Sequence, residues 1–273
     1  MPGMKTGVLS LVGEILPTLV EEMKNQYFAD VNDYRKYGLL RLLSDNERVP
    51  TAICWMLTEN DNGTHGNNNG YVDNPKTWRS YDPALFDILK NVIIKERTAG
   101  APKDVKVAEE HQIVRSALYY DPSNSDQRIY LTANNEEREK YFDEFFKRAK
   151  PYKLIFFDPD NGLEARSAPY RQHTSSTEHL YWHELERAVK AGHSVLLYQH
   201  FPQRLPRDKR DDFIVCKAEE LGTKTGKKKI YSFRTSHVVF FLVLQNEHLY
   251  TPGIQAIGSK WRDQITIKTH KLK

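Results

Sequence analysis

Residues 153–166, KLIFFDPDNGLEAR, set an apolar run against two carboxylates, a carboxamide and two turn formers. Asp158 follows the run directly. A carboxylate fixed at such a point orients a water molecule or stabilises a developing positive charge. Pro159 stiffens the turn. Asn161 both donates and accepts, which suits reading a base edge or a sugar, and Asp160 stands between them as a further substrate contact. The same residues equally form an Asp-Pro-Asp-Asn-Gly turn whose side chains bond their own backbone. Two other apolar runs end in polar groups. TAICWMLT leads into Glu59, Asn60 and Asp61, and SVLLYQHFP ends in Gln199, His200, Phe201 and Pro202. His200 can donate to a leaving group or bind a phosphate. Asp158, Asn161 and His200 are thus the catalytic candidates.

Binding groups surround them. ADVNDYRKYGLL places Asp30, Asn32 and Asp33 at a helix start, with Tyr34, Arg35 and Lys36 just inside it. Free amides at a helix start accept an anion, and Arg35 and Lys36 are expected to meet nucleic acid; a capped surface helix accounts for the same pattern. Trp55, Glu59, Asn60, Asp61, Asn67, Trp78 and Tyr81 offer polar and stacking groups for a bulky, hydroxyl-rich substituent, with Tyr34 beside them. Trp55 suits the core equally well. Between 203 and 229 lie Arg204, Arg207, Lys209, Arg210, Lys217, Lys224, Lys227, Lys228 and Lys229. Such a cluster neutralises phosphates, and Gly222, Thr225 and Gly226 suggest a flexible basic loop within it. Phe201 and Pro202 beside Arg204 form an apolar wedge of the kind that enters stacked DNA.

These groups need rigid supports. Helical spacing covers 8–24, broken near Pro17, and recurs in NDYRKYGLLRLLSD, YDPALFDILKNVIIKER, NNEEREKYFDEFFKRAK and HLYWHELERAVKAGH. Gly38 inside the second of these helices fits a close backbone approach. Strand runs are TAICWMLT, VRSALYY, KLIFFD and HSVLLYQH, followed by a hairpin of 228–234 and 237–244. Alternation of helix and apolar strand predicts an α/β fold: one domain over 1–273, with a mainly parallel central sheet, helices on both faces and a C-terminal hairpin. In such sheets ligands gather beyond the carboxyl ends of the strands, where the three polar endings fall.

The chain of 273 residues is long enough for a substantial core, and its 39% hydrophobic and 28% charged residues are ordinary for a globular protein. Two cysteines give no disulfide framework and no metal spacing, which points to a reducing cytoplasm. No run is long enough to span a bilayer, and no obligate protein partner is evident. Walker-type loops, GxSxG, HExxH, CxxC and zinc-deaminase signatures are all missing, so neither metal nor cofactor is called for.

NQYFADVNDYRKYGLL resembles the N-terminal segment of a ribosomal-RNA adenine methyltransferase family of Rossmann type, and FFDPDNGLE sits where that family carries D-P-P-Y. Here Asp160 and Asn161 replace Pro-Tyr, and TENDNGTHGNNNG replaces a compact glycine-rich turn. Asp158-Pro159 with Asn161-Gly162, and His200-Phe201-Pro202, resemble the two strand-end motifs of the uracil-DNA glycosylase superfamily. That resemblance implies a water-orienting Asp158, a base-reading Asn161 and a His200 that stabilises the leaving base. YFADVNDYRKYGLLRLL, FFDPDNGLE, YWHEL and SVLLYQHFP together resemble antiviral glycosylases that excise glucosylated hydroxymethylcytosine from phage DNA. The implied activity is base flipping and N-glycosidic cleavage in DNA without a cofactor. An S-adenosylmethionine-dependent methyltransferase and a non-catalytic nucleic-acid-binding protein are the alternatives.

Overall fold

A computed structural model describes residues 25, 28–45, 47–57, 68–120, 131, 134–164, 177–202 and 204–272. The helix expected over 8–24, and Glu59, Asn60, Asp61 and Asn67, lie outside them. In chain order the first elements are α1 (Val31–Leu43), β1 (Thr51–Cys54), α2 (Pro75–Trp78), α3 (Pro83–Ala99), α4 (Lys106–Glu110) and β2 (Leu118–Tyr120). Next come α5 (Asn135–Ala149), β3 (Leu154–Phe157), β4 (Gly162–Leu163), β5 (His179–Leu180), α6 (Trp182–Lys190) and β6 (Ser194–His200). The last are α7 (Arg210–Thr225), β7 (Lys229–Arg234), β8 (Val238–Val243), α8 (Glu247–Lys260) and β9 (Thr266–Lys271).

Seven strands form one sheet in the order β2-β1-β3-β6-β8-β7-β9, while β4 and β5 pair separately. The first four run parallel. From β6 onward each neighbour is antiparallel. Side chains alternate across a strand, so a run that is apolar throughout must be covered on both faces. Ile53, Phe156, Leu196 and Phe240 point to one side, where α1, α3 and α8 supply Leu40, Leu89 and Ile257. Cys54, Phe157, Leu197 and Phe241 point to the other, against Phe145 of α5, Leu185 of α6 and Ile214 of α7.

The expected α/β plan, with helices on both faces and the β7–β8 hairpin, is the observed one. The hairpin does not end the chain, because α8 and β9 follow it. The flexible loop expected around Gly222, Thr225 and Gly226 is corrected. Gly222 and Thr225 belong to α7, and only Gly226, at φ 68°, leaves it as a left-handed cap. Among the described residues no helix is long and apolar enough to cross a membrane.

Two glycines let α1 and α8 meet. A Cβ at Gly38 would lie 2.2 Å from the Trp261 ring, and one at Gly253 would lie 2.3 Å from the Leu42 carbonyl oxygen. The second neighbour is backbone and cannot turn aside. Gly253→Ala is therefore expected to cost about 1–3 kcal/mol in urea denaturation through overpacking. Gly70→Ala, which meets nothing within 4 Å, should stay within about 0.5 kcal/mol of the parent protein. Equal midpoints for the two variants would refute this close packing.

Candidate functional site

The chain passes from β1 outward to β2, then crosses back over β1 to begin β3. Strand order thus reverses between β1 and β3. At such a reversal the connections diverge and leave a crevice at the carboxyl ends of the two strands. Asp158 is the first residue beyond β3, and its N–H donates to the Cys54 carbonyl at 3.1 Å. The sequence puts a carboxylate at this reversal, where it is 1% exposed.

Helix α1 supplies the counter-ion. Asp30 caps it, accepting from the N–H groups of Asn32 at 2.7 Å and Asp33 at 2.8 Å. Asp33 accepts from the Ala29 N–H at 2.8 Å. One helical turn on, the Lys36 ammonium reaches Asp33 at 2.6 Å and Asp158 at 2.7 Å. Lys36 and Asp158 are 2% and 1% exposed, so the ion pair is screened little by solvent. Burial pushes Asp158 up to about 6, with Lys36 pulling it back. Burial, then the neighbouring Asp33, pushes Asp30 up to about 7. Burial works against the Lys36 charge too, but Asp158 and Asp33 outweigh it and hold the ammonium well above the ordinary lysine value. Lys36 therefore faces three carboxylates, and Arg35 and Lys103 also lie within electrostatic reach of Asp30. Ala29 at φ 70° and Met56 at φ 49° flank it in left-handed backbone without being glycine. Such strain persists only where the surroundings enforce it.

The turn after Asp158 is held by other groups. Asn161 donates its side-chain amide to Glu178 at 2.8 Å, and its N–H bonds the Glu178 carbonyl at 2.8 Å. Gln199 of β6 donates to the Asn161 carbonyl at 2.8 Å and accepts from the Leu163 N–H at 3.0 Å. Gly162, at φ 101°, lies against Gln199 so closely that a Cβ there would meet its amide at 2.4 Å. Tyr198 is half-buried, and desolvation, then the charges of Asp30 and Asp158, push its hydroxyl well up. The same hydroxyl lies 2.9 Å from Nε2 of His200. Burial, assisted by the charge of His237, pushes His200 down to about 4. It is a neutral imidazole at physiological pH. Asp158 and His200 thus share one sheet edge through Tyr198, while Asn161 is committed to Glu178. Asp160 is buried beside them.

Several expected ligand contacts are corrected. Lys36 points into the acid cluster and offers nothing to a phosphate. Arg35 is 7% exposed and clamps Gln264 at 2.7 Å, with its guanidinium 5.3 Å from the Trp78 ring. Tyr34 is buried and donates to the Trp78 carbonyl at 2.8 Å. Trp55 is core, tilted on Tyr119 with centroids 5.4 Å apart. Phe201 is no wedge, since it is buried against Phe213 and the Arg210 guanidinium. The basic cluster divides. Arg204 and Arg207 follow β6 and are exposed at the carboxyl edge. Lys227, Lys228 and Lys229 sit where β7 begins, and Ile230 is level with Val243 and so with Val195 near the start of β6. They lie a strand's length, roughly 20 Å, from the crevice. Lys229 is further tied to Glu247, and Lys227 to Gln245.

Among the described residues no group of three or more His, Cys, Asp and Glu side chains is placed to hold a metal ion. No family model matches this chain, and no curated protein matches it. Tyr198 went unrecognised in the sequence, and Asp33 and Gln199 were named only as a helix start and a strand end, without these partners. The D-x-x-D-x-x-K spacing of Asp30, Asp33 and Lys36 carried a signal, because steps of three keep to one side of a helix.

Removing one member of a buried ion pair leaves the other charge uncompensated. Lys36→Met is expected to lose about 3–5 kcal/mol in urea denaturation, and Lys36→Met with Asp158→Leu to recover much of that loss. Additive losses in the double variant would show that the two side chains do not act as a pair.

Proposed function

We propose that this protein is a DNA glycosylase that takes a modified base out of the stack and cleaves its N-glycosidic bond, leaving an abasic site. Glucosylated hydroxymethylcytosine of phage DNA is the substrate that the sequence resemblance suggests. The observation carrying this reading is the buried Asp158 carboxylate, held by Lys36 and Asp33, at the strand-order reversal. When the bond between C1′ and the base nitrogen breaks, its electron pair leaves with the base and the sugar becomes an oxocarbenium-like cation. A fixed carboxylate lowers the energy of that cation, and lowers it most in a site shielded from water. Water then adds to C1′, and its proton passes to Asp158 or to solvent. Lys36 serves the reaction by keeping Asp158 ionised within the buried site. His200, being neutral, assists the departing base by hydrogen bonding without adding charge.

Base flipping brings the sugar to a crevice that an intact duplex cannot enter. Arg204 and Arg207 are the exposed cations placed to hold the flanking phosphates. Unpaired Cys54 and Cys216 accord with work in the cytoplasm. The same crevice favours one second reading. A strand-order reversal is where α/β sheets seat nucleotide cofactors, and the sulfonium of S-adenosylmethionine is also a cation. Saturable stabilisation by that cofactor in a thermal-shift assay, with no abasic product, would decide for the methyltransferase.

With glucosylated phage DNA, the purified protein should leave alkali-labile sites, and Asp158→Asn should abolish them while retaining DNA binding. The rate should rise with pH through about 6 as Asp158 ionises. In Lys36→Gln this limb should move to higher pH, because the cation that favours the carboxylate is gone. Full cleavage by Asp158→Asn would remove the residue from the chemistry.

Two phosphate contacts account for a slope of about −1.8 in log K against log salt. Arg204→Ala with Arg207→Ala should flatten the salt dependence of DNA binding by about that amount. Triple alanine substitution of Lys227, Lys228 and Lys229 should leave the slope unchanged. The reverse ranking would put the DNA on the opposite edge of the sheet.

A further inference from the structure

A cavity lies at the other edge of the sheet, where the parallel strands begin. Its volume is about 270 Å3, and it is enclosed by the end of α1, the start of α3, the turn before β2 and the second half of α8. One wall is aromatic. Tyr81 stacks on Trp261 with centroids 5.1 Å apart and ring planes at 25°. Five of the other lining residues are charged. Arg41 is spoken for, bonding Asp82 at 2.7 Å and the Ile113 carbonyl at 2.7 Å. Asp82 in turn caps α3. Asp45 lies 3.5 Å from Arg48. Arg115 and Lys260 line the cavity and are exposed, and neither has an acidic partner among the described residues. The charge left uncompensated here is positive. Asp45, which lines the cavity, holds left-handed backbone at φ 45° without being glycine. Strained backbone of this kind gathers at ligand-binding turns.

We infer that this cavity binds a nucleoside monophosphate, with the phosphate between Arg115 and Lys260 and the base against the Tyr81–Trp261 wall. Two free cations suit a phosphate dianion, and a planar ring suits an aromatic wall. The volume lies just below the usual range of small-molecule pockets, about 300–1,000 Å3, which suits one small ligand. The site is independent of the crevice at Asp158. Arg115 and Lys260 belong to neither the acid cluster nor the phosphate contacts assigned to Arg204 and Arg207.

Isothermal titration of the full chain with deoxynucleoside monophosphates, inorganic phosphate and the matching nucleosides tests this. A monophosphate should bind more tightly than phosphate or nucleoside alone. Arg115→Glu and Lys260→Glu, both surface changes, should each weaken it at least tenfold without altering the thermal melt, and Asp158→Asn should leave it unchanged. Absence of binding at millimolar nucleotide overturns the proposal, as does undiminished binding by both glutamate variants. Loss of binding in Asp158→Asn alone would move the nucleotide to the crevice and equally overturn it.

Discussion

The Lys36 ammonium, held between Asp33 and Asp158, is the constraint on which the site depends. It ties a helix near the start of the chain to the end of a strand 122 residues later. An ammonium closed off from water is tolerable only with such partners, and a buried carboxylate stays ionised only beside such a cation. The two ends of the pair therefore specify each other. Helix α1 must sit so that its first turns reach the carboxyl edge of the sheet, and β3 must end where it does.

The rest of the packing serves that placement. Gly38 admits the Trp261 ring, and Gly253 admits the Leu42 carbonyl, so α8 presses α1 onto the sheet from behind. Asp30 fixes the first turn of the helix through two backbone N–H groups. On the other side of the crevice, Gln199 reaches back from β6 to fasten the turn at Asn161 and Leu163. Gly162 is required there twice over, by its positive φ and by the amide lying against it. The acid cluster is thus held by helix, strand and turn together, which is what a preorganised electrostatic site needs.

The sequence made the fold more legible than the site. Continuous apolar runs such as Leu154–Phe157 and Val238–Val243 could only be strands covered on both sides, and they are. Where apolar pattern was weak the reading failed. β9 is Thr-Ile-Lys-Thr-His-Lys, a largely exposed edge strand whose charges discourage further pairing. α8 contains Pro252 and Gly253, which argue against a helix locally and are tolerated because Gly253 is needed for contact with α1. Lys36 was read as a phosphate contact because a lysine on a capped helix is ordinarily solvated. Nothing local reveals a partner 122 residues away. Phe201 and Trp55 show the opposite error, in which aromatic side chains that fit a ligand in outline fit the core better.

Asp158 itself was visible, but for an incomplete reason. Asp-Pro-Asp-Asn-Gly is a turn, and the structure explains most of its letters as turn chemistry: Asn161 for Glu178, Gly162 for Gln199. Asp158 is the residue that this explanation does not use. A turn needs no buried carboxylate, and keeping one charged in the interior requires Lys36, which in turn requires Asp33. That chain of requirements costs stability without improving the turn. It stands at the reversal of strand order, the position where open α/β sheets ordinarily seat their ligands.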